Sequence, residues 1–379
     1  MTADDRNAVR LMKVESSRRL RSSLATASVN DFRTSEAGWC DPTRILESAD
    51  ISLYCLDAVG RRAIFVEADA ARISGAPFLY QAQARYARAL ICVPFGLLHE
   101  LAQSVSLGSN RAALIYSTGR CGSTLVSRAL AGHPLVTSLS EPDVFTNLVS
   151  LHIEGGVSPG ELRKLLRSCL LLQLAPHVSR SSRQVIAVKF RSFVVSLAEA
   201  LHEVFPEANA VFMYRSAPGY FRSAARMFGH QRWEELSAPA PRMLADMRCL
   251  VPLLDEYARM RDETPSTADV IACMWASAMR DALALLQSDM KIFTMRYEDM
   301  QECARAEIDS LFSFLGIGTG DEGVLDAILE EDSQAGTSLD RARLGARAQR
   351  LPDDALDNML AALAAVAPRL PPNMRLPAR

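Results

Sequence analysis

The sequence predicts an α/β fold, with a doubly wound parallel sheet flanked by helices and preceded by an α/β extension. From Arg111 onward, compact apolar segments recur, and each is followed by a stretch with apolar residues at helical spacing. A strand covered on both faces is apolar along its whole length, which is how these segments read. With 379 residues, 49% of them hydrophobic, the chain can form such a core and an additional segment.

The extension is predicted over residues 1–110. Within it, "RRAIFVEAD" (residues 61–69) predicts a strand, and "QAQARYARALICVPFGLLHELAQ" (residues 81–103) predicts a helix and then a second strand with its own helix. The turn-forming "LGSNRA" (residues 107–112) marks the boundary. No chemical motif occurs before it, so the sequence assigns the extension no role.

The core domain is predicted over residues 111–345, followed by a C-terminal helix and tail over residues 346–379. Its strands are predicted at "RAALIYS" (111–117), "QVIAVKF" (184–190), "ANAVFMYR" (208–215) and "KIFTMRY" (291–297). After the first strand, Leu125, Val126, Ala129 and Leu130 share one helix face. Gly132 and Pro134 then end that helix.

Composition excludes several classes of protein. A net charge of −2 argues against a protein that coats nucleic acid. The eight cysteines form no C-x-x-C pair and the six histidines show no ligand spacing, so no metal site is predicted. The amino-terminal segment lacks the apolar stretch of a signal peptide, and "LLRSCLLLQLA" (165–175) is too short to span a bilayer. We therefore expect a cytoplasmic protein without a membrane span.

The segment "STGRCGST" (residues 117–124) lies between a predicted strand and a predicted helix. Such a loop collects backbone N–H groups and the positive end of a helix dipole, which together suit an anion. The triphosphate-binding form is G-x-x-x-x-G-K-[ST], but here Ser117 replaces the first glycine and Ser123 replaces the lysine. The loop is therefore suited to a 5′ phosphate rather than to transfer of a γ-phosphoryl group. A plain strand–helix turn is the alternative for this segment alone.

A second candidate phosphate site lies in "VFMYRSAPGYFRSAARMF" (residues 211–228), with Arg215 at a strand end and Ser223 on the next helix. Pro218 suits the first turn of that helix. A helical serine leans back toward the helix start, so its hydroxyl and the Arg215 guanidinium can converge on one phosphate. Taken singly, either residue could be an ordinary surface arginine or helical serine.

Together these motifs resemble those of sulfotransferases that use 3′-phosphoadenosine 5′-phosphosulfate (PAPS). "TGRCGSTLVSRAL" (118–130) is similar to their phosphosulfate loop, in the arginine form of tyrosylprotein and many bacterial sulfotransferases, and the Arg215–Ser223 spacing is similar to their 3′-phosphate motif. "RYEDM" (296–300) followed by "FLG" (314–316) resembles a further recurrent segment. The resemblance covers about residues 111–345. It implies a P-loop nucleotide-hydrolase-like fold and transfer of a sulfuryl group to a hydroxyl or amine.

The resemblance also implies a set of cofactor-binding residues. Backbone N–H groups around Gly122 would hold the 5′ phosphosulfate, and Arg120 would neutralise charge on the leaving phosphate. A late hydroxyl-rich loop, "EDSQAGTSLDRARLG" (331–345), would close over the nucleotide. The full predicted set is Thr118, Gly119, Arg120, Cys121, Gly122, Ser123, Thr124, Arg215, Ser223 and Ser338.

Arg120, Glu141 and Lys189 are the predicted catalytic residues. Glu141 resembles the catalytic glutamate of tyrosylprotein sulfotransferases, and an acceptor hydroxyl needs a base to remove its proton. Alternatively, "SEPD" (140–143) begins a helix with Pro142 at its first position. Lys189 ends an apolar strand, where α/β proteins place ligands, although a strand-end lysine can instead extend to solvent.

Two rival functions remain on the sequence alone. One is a P-loop kinase or nucleotide hydrolase, which the missing lysine disfavours. The other is a non-catalytic nucleotide-binding protein on the same fold. For the sulfotransferase, the implied donor is PAPS with no metal required. The expected acceptor is a small molecule, lipid or protein rather than a nucleic acid.

Overall fold

The structure is a computed structural model that describes residues 9–18, 25–178, 184–227, 233–261, 264–331, 351 and 353–377. Most of the late hydroxyl-rich loop, including Ser338, lies outside the described residues, so its contact with the nucleotide stays a prediction. No helix within the described ranges is long and apolar enough to cross a membrane.

The strands form two five-stranded sheets. They are β1 (Val9–Ser17), β2 (Phe32–Cys40), β3 (Ile51–Asp57), β4 (Arg62–Glu67), β5 (Ala89–Pro94), β6 (Arg111–Ser117), β7 (Val136–Ser140), β8 (Val185–Lys189), β9 (Asn209–Tyr214) and β10 (Ile292–Arg296). The first sheet has the order β2-β1-β5-β4-β3, and its neighbours are antiparallel. The second sheet has the order β10-β9-β6-β8-β7, and the pairs β7–β8 and β9–β10 are parallel.

The α-helices of the described residues occur among the strands of both sheets and after the last strand. They are α1 (Arg44–Glu47), α2 (Ala70–Ile73), α3 (Leu79–Tyr86), α4 (Phe95–Gln103), α5 (Ser123–Gly132), α6 (Val144–Ile153), α7 (Pro159–Val178), α8 (Ala198–Val204), α9 (Ala217–Met227), α10 (Trp233–Ser237), α11 (Pro241–Met247), α12 (Leu253–Arg261), α13 (Thr267–Gln287), α14 (Tyr297–Glu302), α15 (Ala304–Leu315), α16 (Glu322–Glu330) and α17 (Asp353–Val366). Short 3-10 helices occur at Val29–Asp31 and Ser192–Leu197.

The chain divides into two compact units. The first contains the residues up to Ala113 together with Pro134–Phe190 and Glu199–Ala208. Within it, β3 and β4 are buried along most of their length, and both α6 and α7 pack against β3. An apolar cluster that includes Tyr54, Ile64 and Leu90 forms a core on the antiparallel sheet. The antiparallel sheet and the helices α6 and α7 therefore belong to one packed body.

The second unit contains Leu114–His133, Arg191–Ala198 and Asn209–Arg379. Its central helix is α13, which begins with a capping box between Ser266 and Asp269. This helix packs against α9 and α17 and carries the fully buried Trp275. Helix α5 packs against α16, and β10 packs against α14 and α15.

The structure confirms the α/β fold, with a parallel sheet flanked by helices and an N-terminal extension. All four strands predicted for the core are present as β6, β8, β9 and β10, and the predicted strands and helices of the extension occur as β4, α3, β5 and α4. The strands β1, β2, β3 and β7 were not predicted. The division into domains at residues 110 and 345 stays a prediction.

Candidate active site

The loop between β6 and α5 has an unusual backbone. Gly119, Arg120 and Gly122 have φ values of 76°, 55° and 80°, which lie in the left-handed region. Strand β6 ends at Ser117 and α5 begins at Ser123, so these residues form the whole turn from strand to helix. Turns that include left-handed residues can direct successive N–H groups into one concavity, and the helix start adds its positive dipole. The backbone of the loop therefore has the features of an anion-binding turn.

Gly122 is required at its position for two reasons. Its φ disfavours any residue with a Cβ, and a Cβ built there would lie 2.3 Å from Cε of Met300 and 3.2 Å from Cδ2 of Tyr297. Both neighbours belong to the "RYEDM" segment at the start of α14. That segment therefore packs against the loop glycine and supports the shape of the anion site.

The two predicted phosphate motifs meet in the second unit. Nε of Arg120 donates a hydrogen bond to Oγ of Ser223 at 3.0 Å. Nη1 of Arg215 donates to the backbone carbonyl of Arg120 at 3.2 Å. The Arg215 guanidinium also lies 4.0 Å from the ring centroid of Tyr297. The structure thus brings Arg120 into contact with both Arg215 and Ser223, the two residues for which the sequence predicts a shared phosphate.

The electrostatics of this group favour a bound anion. Burial lowers the pKa of Arg120, and the positive charges of Arg215 and Arg226 lower it further against an opposing effect of Tyr220. Burial is also the main cause of a lowered pKa at Arg215. Both guanidiniums remain charged at neutral pH. Among the described residues, no carboxylate forms an ion pair within 4.0 Å of Arg120 or Arg215. Tyr297 and Glu298 partly offset the lowering of the pKa at Arg215. Adjacent, partly desolvated cations without a directly paired carboxylate are stabilised by an anion.

The strand end that carries Arg215 is fixed by its neighbours. The backbone N–H and the hydroxyl of Ser216 donate to Oε1 of Glu298 at 3.1 and 2.6 Å. Nε1 of Trp275 donates to the carbonyl of Arg215 at 2.9 Å. Glu298 lies in the first turn of α14 and binds Ser216 from there. These contacts hold the backbone of Arg215 in place.

The remaining predicted loop residues line the same turn. Thr118 and Cys121 are buried, and the N–H of Thr118 donates to the carbonyl of Met213 at 3.0 Å. Ser123 and Thr124 are buried in the first turn of α5. The N–H groups in the first turn of a helix have no intrahelical acceptors, so those of Ser123 and Thr124 can donate to an anion.

Glu141 and Lys189 form an ion pair in the first unit. Strand β7 ends at Ser140, β8 ends at Lys189, and the two strands are paired in parallel. The N–H of Glu141 donates to the carbonyl of Lys189 at 2.6 Å, and Nζ of Lys189 donates to Oε1 of Glu141. The side chains are 14% and 3% exposed, respectively. The two predicted catalytic side chains of this unit are therefore in contact.

The positions of these two residues differ from the structural alternatives that the sequence left open. Helix α6 begins at Val144 with Asp143 as its N-cap, so Glu141 and Pro142 precede the helix rather than start it. Glu141 has a φ of 57°, a left-handed conformation that is uncommon for a residue with a long side chain. Lys189 is buried and bound to Glu141 instead of extending to solvent.

Sequence reasoning missed several residues of the site. Tyr297 stacks on Arg215, Trp275 binds its carbonyl, and Arg226 adds a third positive charge three residues after Ser223. The spacing of Ser223 and Arg226 on one helix face was the available signal for Arg226. Tyr297 lies in the "RYEDM" segment, which was the available signal for it, whereas no local pattern marks Trp275.

Comparison with known proteins places the chain in a family. No curated protein sequence matches it. Distant structural matches include three sulfotransferases. They are the sulfotransferase domain of the Synechococcus PCC 7002 olefin synthase (15% identity, 66% of this chain and 94% of that one, TM-score 0.35), the sulfotransferase domain from the curacin biosynthetic pathway (14%, 66% and 89%, 0.36) and sulfotransferase STF1 from Mycobacterium tuberculosis H37Rv (13%, 71% and 81%, 0.39). The profile of the family described as "Sulfotransferase domain" matches residues 110–343, which is more than half of the chain. The protein therefore belongs to the sulfotransferase domain family.

Proposed function

We propose that this sulfotransferase moves a sulfuryl group from PAPS to a hydroxyl or amine acceptor and releases adenosine 3′,5′-bisphosphate. The observation that carries the proposal is the group formed by Arg120, Ser223 and Arg215 beside the left-handed turn before α5. It offers two guanidiniums without a carboxylate partner among the described residues, next to a helix start. A nucleotide with separate 3′ and 5′ anionic groups matches that arrangement.

The donor would be held by both motifs. N–H groups at Gly122, Ser123 and Thr124 would bind the 5′ phosphosulfate, while Arg215 and Ser223 would bind the 3′ phosphate. A serine hydroxyl can accept one hydrogen bond and donate another. Ser223 can therefore accept from Nε of Arg120, as observed, and donate to the phosphate at the same time.

The chemistry assigns different roles to Arg120 and Glu141. The sulfur–oxygen bond to the 5′ phosphate breaks while a bond from sulfur to the acceptor oxygen or nitrogen forms. Negative charge grows on the leaving phosphate, and the fixed guanidinium of Arg120 stabilises it. The acceptor proton passes to Glu141, whose carboxylate Lys189 holds in place. No metal ion is required in this scheme, and the acceptor is a small molecule, lipid or protein in the cytoplasm.

Calorimetric titration of adenosine 3′,5′-bisphosphate and of AMP tests the donor site. Wild-type protein should prefer the bisphosphate by about 10- to 150-fold, since a hydrogen bond to a charged group contributes roughly 1.5–3 kcal/mol. Arg215→Ala should remove most of that preference. Adding Ser223→Ala to Arg215→Ala should cost less than Ser223→Ala alone, because both residues bind one ligand group.

Arg305→Ala is the matched control for these titrations. Arg305 lies in the same unit and pairs with Asp326 at the surface, so its removal should leave the preference unchanged. Equal wild-type affinity for the two nucleotides would refute the 3′-phosphate assignment. Tighter binding of ATP than of the bisphosphate would favour a kinase or nucleotide hydrolase.

Turnover separates an enzyme from a non-catalytic binding protein. Radiolabelled PAPS is incubated with the wild-type protein and a metabolite extract, and label in organic products is measured against label in inorganic sulfate. Label should enter an organic product with wild type and not with Glu141→Gln. Binding of the bisphosphate without any label transfer across extracts and protein acceptors would indicate a non-catalytic protein.

A further inference from the structure

The N-terminal extension contacts the strand ends that carry Glu141 and Lys189. The family match begins at residue 110, so this contact comes from outside the matched region. Oγ of Ser140, immediately before Glu141, donates to the carbonyl of Pro77 at 2.7 Å. Nζ of Lys189 lies 5.8 Å from the ring centroid of Phe78. Adjacent residues of the extension therefore contact both strands of the ion pair, and all of them belong to the first unit.

The extension also binds the segment that follows Glu141. The N–H of Ala27 donates to Oδ2 of the fully buried Asp143. Nδ2 of Asn147 donates to the carbonyl of Ala27 at 3.0 Å, and the N–H of Leu56 donates to Oδ1 of Asn147 at 3.0 Å. Glu141 is thus flanked on both sides by residues that are hydrogen-bonded to the extension.

These contacts explain how Glu141 keeps its backbone conformation. A left-handed residue with a Cβ persists only where its surroundings fix it. The N–H of Glu141 is bound to Lys189, while Ser140 and Asp143 are bound to Pro77 and Ala27. Since two of these three contacts come from the extension, the extension contributes directly to the geometry of the candidate base.

Phe78 contacts both the apolar core of the extension and the ammonium group of Lys189. Its half-buried ring packs against the apolar cluster that includes Ile73, Leu79 and Tyr80, just before α3. The face of an aromatic ring is electron-rich and attracts a cation, more strongly when water is excluded. The side chain of Lys189 is 3% exposed, and its ammonium contacts both the Glu141 carboxylate and the face of this ring.

We propose that the extension holds the candidate base in place and that Phe78 is a positioning residue of the Glu141–Lys189 pair. Phe78 fixes the ammonium of Lys189, and Lys189 in turn fixes the carboxylate that accepts the proton. The catalytic part of this inference rests on the proposed function. The packing part does not, and it can be measured separately.

The catalytic part is tested with Phe78→Leu and Phe78→Tyr. Leucine keeps apolar bulk but has no ring, so label transfer from PAPS at saturating donor should fall about three- to thirtyfold, the range for loss of a partly desolvated cation–π contact. The dissociation constant of adenosine 3′,5′-bisphosphate should stay within about twofold, because the donor residues belong to the other unit. Tyrosine keeps the ring and should retain most of the turnover.

Tyr86→Leu is the matched control. Tyr86 is another half-buried ring on the same apolar cluster, and it stacks with a cation, Arg72, at 5.5 Å. Its loss should leave label transfer within about twofold of wild type. An equal fall in Tyr86→Leu and Phe78→Leu would show general weakening of the extension and overturn the specific role of Phe78. Wild-type turnover in Phe78→Leu would overturn it as well.

Amide hydrogen exchange tests the packing part without any turnover. Peptides covering residues 136–147 should exchange faster in Phe78→Leu than in wild type or in Tyr86→Leu. If wild-type protein transfers no label to any acceptor, the proposed function fails, and the exchange rates still report whether Phe78 holds the Glu141 segment. Unchanged exchange in Phe78→Leu would overturn the packing part.

Discussion

Arg120 contributes both its backbone and its side chain to the candidate site. Its φ of 55° helps to form the turn before α5, and its carbonyl accepts from Arg215. Its guanidinium reaches Ser223 on a different helix. One residue therefore shapes the loop, anchors the neighbouring arginine and supplies charge.

Arg120→Ala should lower turnover about a hundredfold or more. The reason is the loss of a fixed positive charge beside the leaving phosphate, where charge develops during transfer. Label transfer from PAPS at saturating donor measures the effect, and Arg120→Lys, which keeps the charge without the planar fork, should recover part of it. Unchanged turnover in Arg120→Ala would remove the residue from the mechanism.

Glu141→Gln should abolish most turnover while the affinity for adenosine 3′,5′-bisphosphate stays near the wild-type value. Glutamine keeps the shape of the side chain but cannot accept the acceptor proton. Calorimetry and label transfer on the same preparation separate the two quantities. Loss of affinity with turnover preserved at saturation would make Glu141 a structural residue and require another base.

At the scale of elements, the turn from β6 to α5 depends on Gly122. Gly122→Ala places a Cβ 2.3 Å from Met300 at a left-handed φ, so we expect a loss of about 1–3 kcal/mol in the free energy of unfolding and weaker nucleotide binding. Chemical denaturation and calorimetry measure the two effects.

Gly160→Ala in α7 is the control for Gly122→Ala. A Cβ at position 160 would meet no atom within 4 Å, so this substitution should be neutral or stabilising. A stable Gly122→Ala protein with wild-type affinity would contradict the role assigned to this turn.

Helix α13 carries a carboxylate that makes stability depend on pH. Burial raises the pKa of Asp281 to about 6, with Arg280 partly opposing that shift. The folded state therefore keeps the proton on Asp281 up to about pH 6, whereas the unfolded state releases it near pH 4. The stability that this proton contributes is lost as the pH rises through about 6. Asp281→Asn should raise the free energy of unfolding by about 1–2 kcal/mol at pH 8, with the gain disappearing near pH 4. Urea titrations at both pH values check this, and an equal gain at both would contradict it.

The sequence predicted the strands and helices whose hydrophobic pattern is visible within the segment itself. Strands β6, β8 and β9 are buried on both faces and therefore apolar along most of their length. Strands β1 and β2 were missed because they are polar and largely exposed, so only their pairing with each other and β5 makes them strands. Strand β7, "VTSLS", is short and rich in hydroxyl residues.

The residues of the candidate site divide in the same way. Arg120, Arg215 and Ser223 lie at strand ends and helix starts, which a sequence can mark. Tyr297 lies in the "RYEDM" segment but is not among the predicted site residues, and Phe78 lies in an extension without motifs. Their contacts with Arg215 and Lys189 depend on tertiary packing, which no local spacing encodes.

At the scale of the whole molecule, the first unit includes residues from both sides of the predicted boundary at 110. A chain of residues 111–379 would leave the buried Asp143 without the N–H of Ala27 and expose the faces of α6 and α7 that pack on β3. Unpaired buried polar groups and exposed apolar faces are both destabilising. We expect this truncated chain to aggregate or to unfold without a cooperative transition.

Circular dichroism and calorimetric melting of the truncated chain test that expectation, with full-length Arg305→Ala as the control. The control should melt cooperatively near the wild-type temperature. A cooperative melt of residues 111–379 at the wild-type temperature would show that the extension is dispensable for folding.

The hydrogen bond from Arg215 to the carbonyl of Arg120 links the strand of one phosphate motif to the loop of the other. In the proposed complex, an anion held at Arg215 therefore changes the free energy of binding an anion at the loop. Thermodynamic linkage makes that effect reciprocal, so a fragment with a 3′ phosphate and a fragment with a 5′ sulfate should each alter the affinity for the other by the same factor. The site would then respond to the nucleotide as one cooperative ligand rather than as two independent anions.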